Sequence, residues 1–149
     1  MTVAVAARLQ TVWARIHAAE QRFQRPAGSV GLLAVSKMQQ LDAIAAAAAA
    51  GQRCFGENYV QEALEKIAGL AALDLEWHFI GPVQTNKTRL IAENFAWVHS
   101  VDRLKVAERL NAQRPAHLPP LNVCLQVNIS QEATKSGLDV ADVFAVAQA

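Results

Sequence analysis

The sequence predicts an α/β fold built on a parallel sheet. Three observations predict it: five short apolar runs, helical patterns between them, and Gly, Pro or capping residues at the junctions. Successive units recur at roughly 20–25 residues, room for a strand, a crossover helix and two short loops. Two architectures satisfy this alternation. One is an open doubly wound sheet; the other is a (β/α)8 barrel, whole or in part.

The N-terminal segment predicts an amphipathic helix, because Val5, Leu9, Val12, Trp13 and Ile16 recur at three- and four-residue steps. Pro26, Gly28 and Ser29 break it. Val30–Ser36 is almost continuously apolar, the pattern of a strand buried on both faces. Leu41–Ala50 reads as a helix ended by Gly51. Arg53–Glu57 is a second strand. Tyr59–Leu70 is a helix, with Asn58 as N-cap and Gln61 answering at the third helical position. Glu76–Ile80 is a third strand, stopped by Gly81-Pro82, and Lys87–Asn94 is a helix. Trp97–Val101 is a fourth strand, and Arg103–Gln113 a helix ended before Pro115. Asn122–Ile129 is a fifth strand, and Val140–Gln148 a last helix capped by Asp139.

No linker, second domain or low-complexity tail interrupts residues 1–149. Five strands would complete a flavodoxin-like sheet, whereas eight need about 200 residues or more. The sequence given stops inside its last helix without a C-cap signal, so one incomplete domain is expected.

Composition excludes several classes. Hydrophobic residues make up 52% of the 149, too many for a disordered chain. The 14 basic and 13 acidic residues nearly balance, which argues against a broad nucleic-acid or anionic-membrane surface. No apolar stretch reaches about 18 residues, and the charged N-terminal segment is not a signal peptide. A cytoplasmic location follows as the default. Cys54 and Cys124 fall in apolar runs and read as reduced core thiols; no zinc-ligand spacing is present.

In either architecture, ligands bind at the carboxyl ends of the strands. That rule selects Ser36 and Lys37, Glu57 and Asn58, Gly81 through Lys87, Ser100 and Asp102, and Asn128 through Gly137. Lys37 stands out because it follows an apolar run with no acidic neighbour in sequence. Desolvation there would favour the free amine, a nucleophile for carbonyl compounds. Gly81–Lys87 offers backbone N–H groups and a lysine to an anion, but lacks the P-loop spacing. His78 and His99, inside strands, read first as satisfied core residues. Neither a nucleophile elbow nor a Gly-x-Gly-x-x-Gly turn occurs.

Four ordered motifs carry a resemblance. They are Leu33-Ala34-Val35-Ser36-Lys37, then Phe55-Gly56-Glu57-Asn58-Tyr59-Val60-Gln61-Glu62, then Trp77-His78-Phe79-Ile80-Gly81-Pro82-Val83-Gln84-Thr85-Asn86-Lys87, then Val127-Asn128-Ile129-Ser130 with Lys135-Ser136-Gly137. With these motifs the chain resembles the pyridoxal phosphate homeostasis proteins, the YggS/PROSC-type family, from about Leu9 onward. The resemblance implies a (β/α)8 barrel of the alanine racemase N-terminal kind, pyridoxal phosphate fold type III. Five of its eight strand–helix units are present here, behind an N-terminal helix. It implies that Lys37 holds pyridoxal 5'-phosphate as a Schiff base, with Asn58, His78 and Asn128 as cofactor neighbours. It implies a protein of vitamin B6 homeostasis without catalytic turnover or metal, which hands the cofactor to dependent apoenzymes.

Two departures from that family stand out. Met38-Gln39-Gln40 replaces the basic residue and proline that often follow Ser36-Lys37. The three further strands, with the phosphate loop and the ring-nitrogen arginine, lie outside the sequence given. The chain is therefore expected to bind the cofactor weakly and to self-associate through exposed strand edges. Two other readings are a racemase-like enzyme using pyridoxal phosphate, and a cofactor-free aldolase working through Lys37.

Overall fold

The computed structural model describes residues 2–132 and 134–149. Five strands alternate with helices: α1 (Thr2–Arg22), β1 (Ala34–Val35), α2 (Leu41–Ala49), β2 (Cys54–Glu57), α3 (Val60–Gly69), β3 (Glu76–Phe79), α4 (Thr88–Asn94), β4 (Trp97–Val101), α5 (Leu104–Gln113), β5 (Asn122–Leu125) and α6 (Val143–Gln148). All neighbouring strands pair in parallel, and the sheet order is β1-β2-β3-β4-β5.

That order decides between the two architectures. A doubly wound sheet reverses direction about an early strand, so later strands lie on both sides of it. Here each strand joins the same edge as the one before, which is the winding of a (β/α)8 barrel.

Side-chain alternation divides the sheet into two faces. Phe55 pairs in register with Ala34 and Trp77, and Val98 with Phe79. These side chains point at the helices and join Ile44, Ala63, Ile91, Val106 and Leu110 in the core. Phe55, Phe79 and Phe95 are at most 2% exposed; each such burial stabilises the fold by about 1.5–3 kcal/mol. Cys54, Gly56, Glu76, His78, Trp97 and His99 alternate onto the opposite face.

The first strand is much shorter than the apolar run Val30–Ser36 predicts. Side chains take over the backbone groups of that run. The Val30 and Gly28 N–H groups donate to the two oxygens of Glu20, at 2.9 and 3.1 Å. Gln52 Nε2 donates to the Leu32 carbonyl at 2.7 Å. Only Ala34–Val35 forms a regular strand, and the Ser36 N–H extends the pairing to the Gly56 carbonyl. The fifth strand is also shorter than expected, ending at Leu125 before a single bridge between Val127 and Leu138.

Candidate functional site

The carboxyl ends of the strands gather most of the rim residues, and the electrostatics there centre on a lysine that sequence reasoning did not select. Lys66, on α3, is 5% exposed. Its ammonium donates to Glu57 Oε1 at 2.7 Å, Glu62 Oε1 at 2.6 Å and the Ser36 carbonyl at 2.7 Å. Ser36 Oγ in turn donates to Glu57 Oε1 at 2.5 Å. Glu62 also accepts the Met38 N–H at 2.6 Å. One buried ammonium and two carboxylates thus grip the residues on both sides of Lys37.

Lys37 itself differs from the sequence expectation. It is exposed rather than desolvated, because the chain crosses there from the helix side of the sheet to solvent. Ser36 is 3% exposed and Met38 is 81% exposed. Met38 makes that crossing in the left-handed region, at φ 61°. A non-glycine residue there carries a conformational cost. The bond to Glu62 holds it in place.

Asn58 leaves β2 toward the rim but does not cap the following helix. Tyr59 takes the cap position of α3, extended and without a side-chain cap bond. Asn58 Oδ1 is buried and has no hydrogen-bond partner. It lines a cavity of about 250 Å³ with Tyr59, Pro82, Gln84 and Lys87. Gly81 presses on the Asn58 backbone, where an added Cβ would stand 2.8 Å from the Asn58 Cα. Ser100 Oγ donates to the Gly81 carbonyl and fixes the other side of the turn.

The remaining two sequence-selected residues already have partners. His78 is buried, stacked parallel to Trp97 at a centroid distance of 5.7 Å. Its Nδ1 faces His99 Nε2 at 2.9 Å, and its Nε2 faces Glu76 Oε1 at 2.9 Å. Burial pushes the His78 pKa down. Asn128 Nδ2 donates to the Glu132 carbonyl at 2.9 Å, closing its own loop.

Lys66 and Glu62 had a sequence signal. Val60, Ala63 and Lys66 fall at three-residue steps on the buried stripe of α3, and Glu62 sits one turn before Lys66. A charge on an apolar stripe, with an opposite charge four residues earlier, marks a buried pair.

Residues 8–149 match the alanine racemase N-terminal domain family. The chain is 61% identical over 145 residues to a pyridoxal phosphate homeostasis protein of Pseudomonas aeruginosa, covering 97% of this chain and 63% of that one. It is 53% identical over 148 residues to the protein of the same name in Escherichia coli K12, again covering 97% and 63%. Among solved structures, PipY of Synechococcus elongatus with pyridoxal phosphate bound superposes with a TM-score of 0.77 at 43% identity, over 97% of this chain and 62% of that one. A protein of unknown function from Bifidobacterium adolescentis gives 0.87 at 35% identity, over 99% and 64%. The chain therefore spans less than two thirds of the length of these relatives. No described helix is long and apolar enough to cross a membrane.

Proposed function

The chain belongs to the alanine racemase N-terminal domain family, and from that membership we propose that it binds pyridoxal 5'-phosphate in vitamin B6 homeostasis rather than turning over a substrate. The names of its relatives and the cofactor bound in PipY support the reading. The observation that carries it is the presentation of Lys37, an exposed primary amine at the carboxyl end of β1. The network through Lys66 and Glu62 holds the backbone on either side of it.

When bound, the cofactor supplies an aldehyde for an amine to condense with. Lys37 is the residue proposed to hold it as a Schiff base. Asn58 fits the role of a neighbour, because its buried Oδ1 lacks the donor that a bound molecule could provide. His78 and Asn128 complete the proposed set; each is oriented by its own hydrogen bonds. A cytoplasmic setting and transfer to cofactor-dependent apoenzymes complete the proposal.

The test is to add pyridoxal phosphate to the chain, reduce with borohydride and locate the adduct by mass. The expected site is Lys37, and Lys37→Ala should lose the visible absorbance band. Stable labelling of another lysine instead would overturn the assignment. The family match also keeps a racemase-like reading in view. Retention of an α-deuterium label by amino acids supports a carrier, whereas washout supports turnover.

A further inference from the structure

We propose that Cys54, Glu76 and His78 form a site for a borderline divalent cation, Zn2+ or a close analogue, on the sheet face opposite the helices. Sequence spacing does not reveal such a site, because its ligands come from two strands. Cys54 and Glu76 are register partners across β2 and β3, and His78 follows Glu76 by two residues on the same face. One ligand atom from each lies within 4.8 Å of the others.

Two of the three separations approach those of tetrahedral coordination, and the third, Cys54 Sγ to His78 Nε2, lies within 4.8 Å. With bonds of about 2.3 Å to sulfur and about 2.0–2.1 Å to nitrogen and oxygen, ligand atoms at the tetrahedral angle stand about 3.3–3.6 Å apart. Cys54 Sγ and Glu76 Oε1 are 3.5 Å apart. His78 Nε2 and Glu76 Oε1 are 2.9 Å apart, so Glu76 has to draw back by a few tenths of an ångström to admit a cation between them. Glu76 is exposed and free to do so.

Hydrogen-bond logic points the same way. A carboxylate only accepts, so the Cys54 thiol and the His78 Nε2–H both direct protons at one oxygen of Glu76. A dication placed among the three atoms replaces both donors. Coordination forms a metal–sulfur bond and breaks the S–H bond, and that proton leaves to solvent. His78 shifts its proton from Nε2 to Nδ1 and His99 moves its own from Nε2 to Nδ1, so the hydrogen bond between the rings reverses and the His78 Nδ1–H donates to His99 Nε2. The imidazole is thereby locked by a second-layer partner, as metal-bound histidines are. Trp97 stacked on the ring holds its plane. A cavity of about 800 Å³ reaches both Cys54 and Glu76, which gives a cation a route in and leaves a fourth position for water.

The mixed sulfur, nitrogen and oxygen set favours Zn2+ over the hard cations Mg2+ and Ca2+. The inference goes beyond the cofactor reading and is tested without cofactor, so either can fail while the other stands. Calorimetric titration of the reduced chain with Zn2+ should give one equivalent, and Co2+ should give a thiolate charge-transfer band. Cys54→Ser should remove that band and weaken Zn2+ binding by at least about tenfold. Glu76→Gln should also weaken binding, while Cys124→Ser should leave it unchanged. On the unmodified chain, Zn2+ should slow alkylation of Cys54 and leave Cys124 unaffected. Absence of Zn2+ binding, binding indifferent to Cys54→Ser, or unchanged Cys54 alkylation would overturn the site.

Discussion

Lys66 Nζ lies 2.7 Å from Glu57 Oε1 with both side chains withdrawn from water. Removing one partner of such a pair strands the other charge. Lys66→Met should therefore destabilise the chain by about 3–5 kcal/mol, whereas Lys66→Met with Glu57→Leu should recover most of that loss. Urea denaturation of the single and double variants measures both. Because Lys66 also holds the Ser36 carbonyl, borohydride trapping at Lys37 should slow in the single variant.

Acid should loosen two clamps together. The Lys66 hydrogen bond holds the Glu62 pKa down, and the Val30 and Gly28 N–H groups do the same for Glu20. Both groups bind a proton more weakly folded than unfolded. Their stabilisation is full above the ordinary glutamate range and is lost as pH falls through the depressed folded values. Denaturation midpoints followed from neutral pH downward should show this fall, and Glu62→Gln should flatten it.

The Glu20 clamp also has a local signature. Glu20→Ala leaves the Gly28 and Val30 amides without their acceptor and should loosen the chain between α1 and β1. Hydrogen exchange should show both amides losing protection, while those of β3 retain theirs.

Gly81→Ala tests the close approach between the second and third strand–helix junctions. Its Cβ would meet the Asn58 backbone, which cannot swing aside as a flexible side chain would. The turn must shift, at a cost of about 1–3 kcal/mol. Thermal melting reads the loss, and reduced cofactor trapping would report displacement of Asn58.

The described sheet leaves β1 and β5 with one strand neighbour each. Val35 on β1 is 52% exposed and Val123 on β5 is 47% exposed. The chain should self-associate with rising concentration, and Val35→Lys should oppose this. Light scattering after size exclusion measures it; concentration-independent monomers would contradict the expectation.

The helix–strand alternation was legible because its signals are local. Trp97–Val101 forms the strand its residues predict, and Asp139 accepts the Ala141 N–H, though it caps a 3-10 turn over Val140–Asp142 that leads into α6 rather than α6 itself. What escaped depends on distant partners. Val30 looks like a strand residue until Glu20, ten positions earlier, takes its N–H. Asn58 has cap chemistry, but its helix starts one residue later, leaving the amide for another use. The apolar run before Lys37 predicts desolvation, yet Lys37 is exposed, and the desolvated lysine sits on α3, 29 positions on. The Cys54–Glu76–His78 cluster exists only once register is set.

The unidirectional strand order also bears on synthesis. A strand that joins the growing edge never has to be inserted between two already paired, so each unit can dock as it leaves the ribosome. The Ser36–Glu57–Lys66 contacts lie within the first two units, which keeps their loop closures short. The backbone around Lys37 can then be set before the third unit docks, giving the growing chain an early register on which later units build.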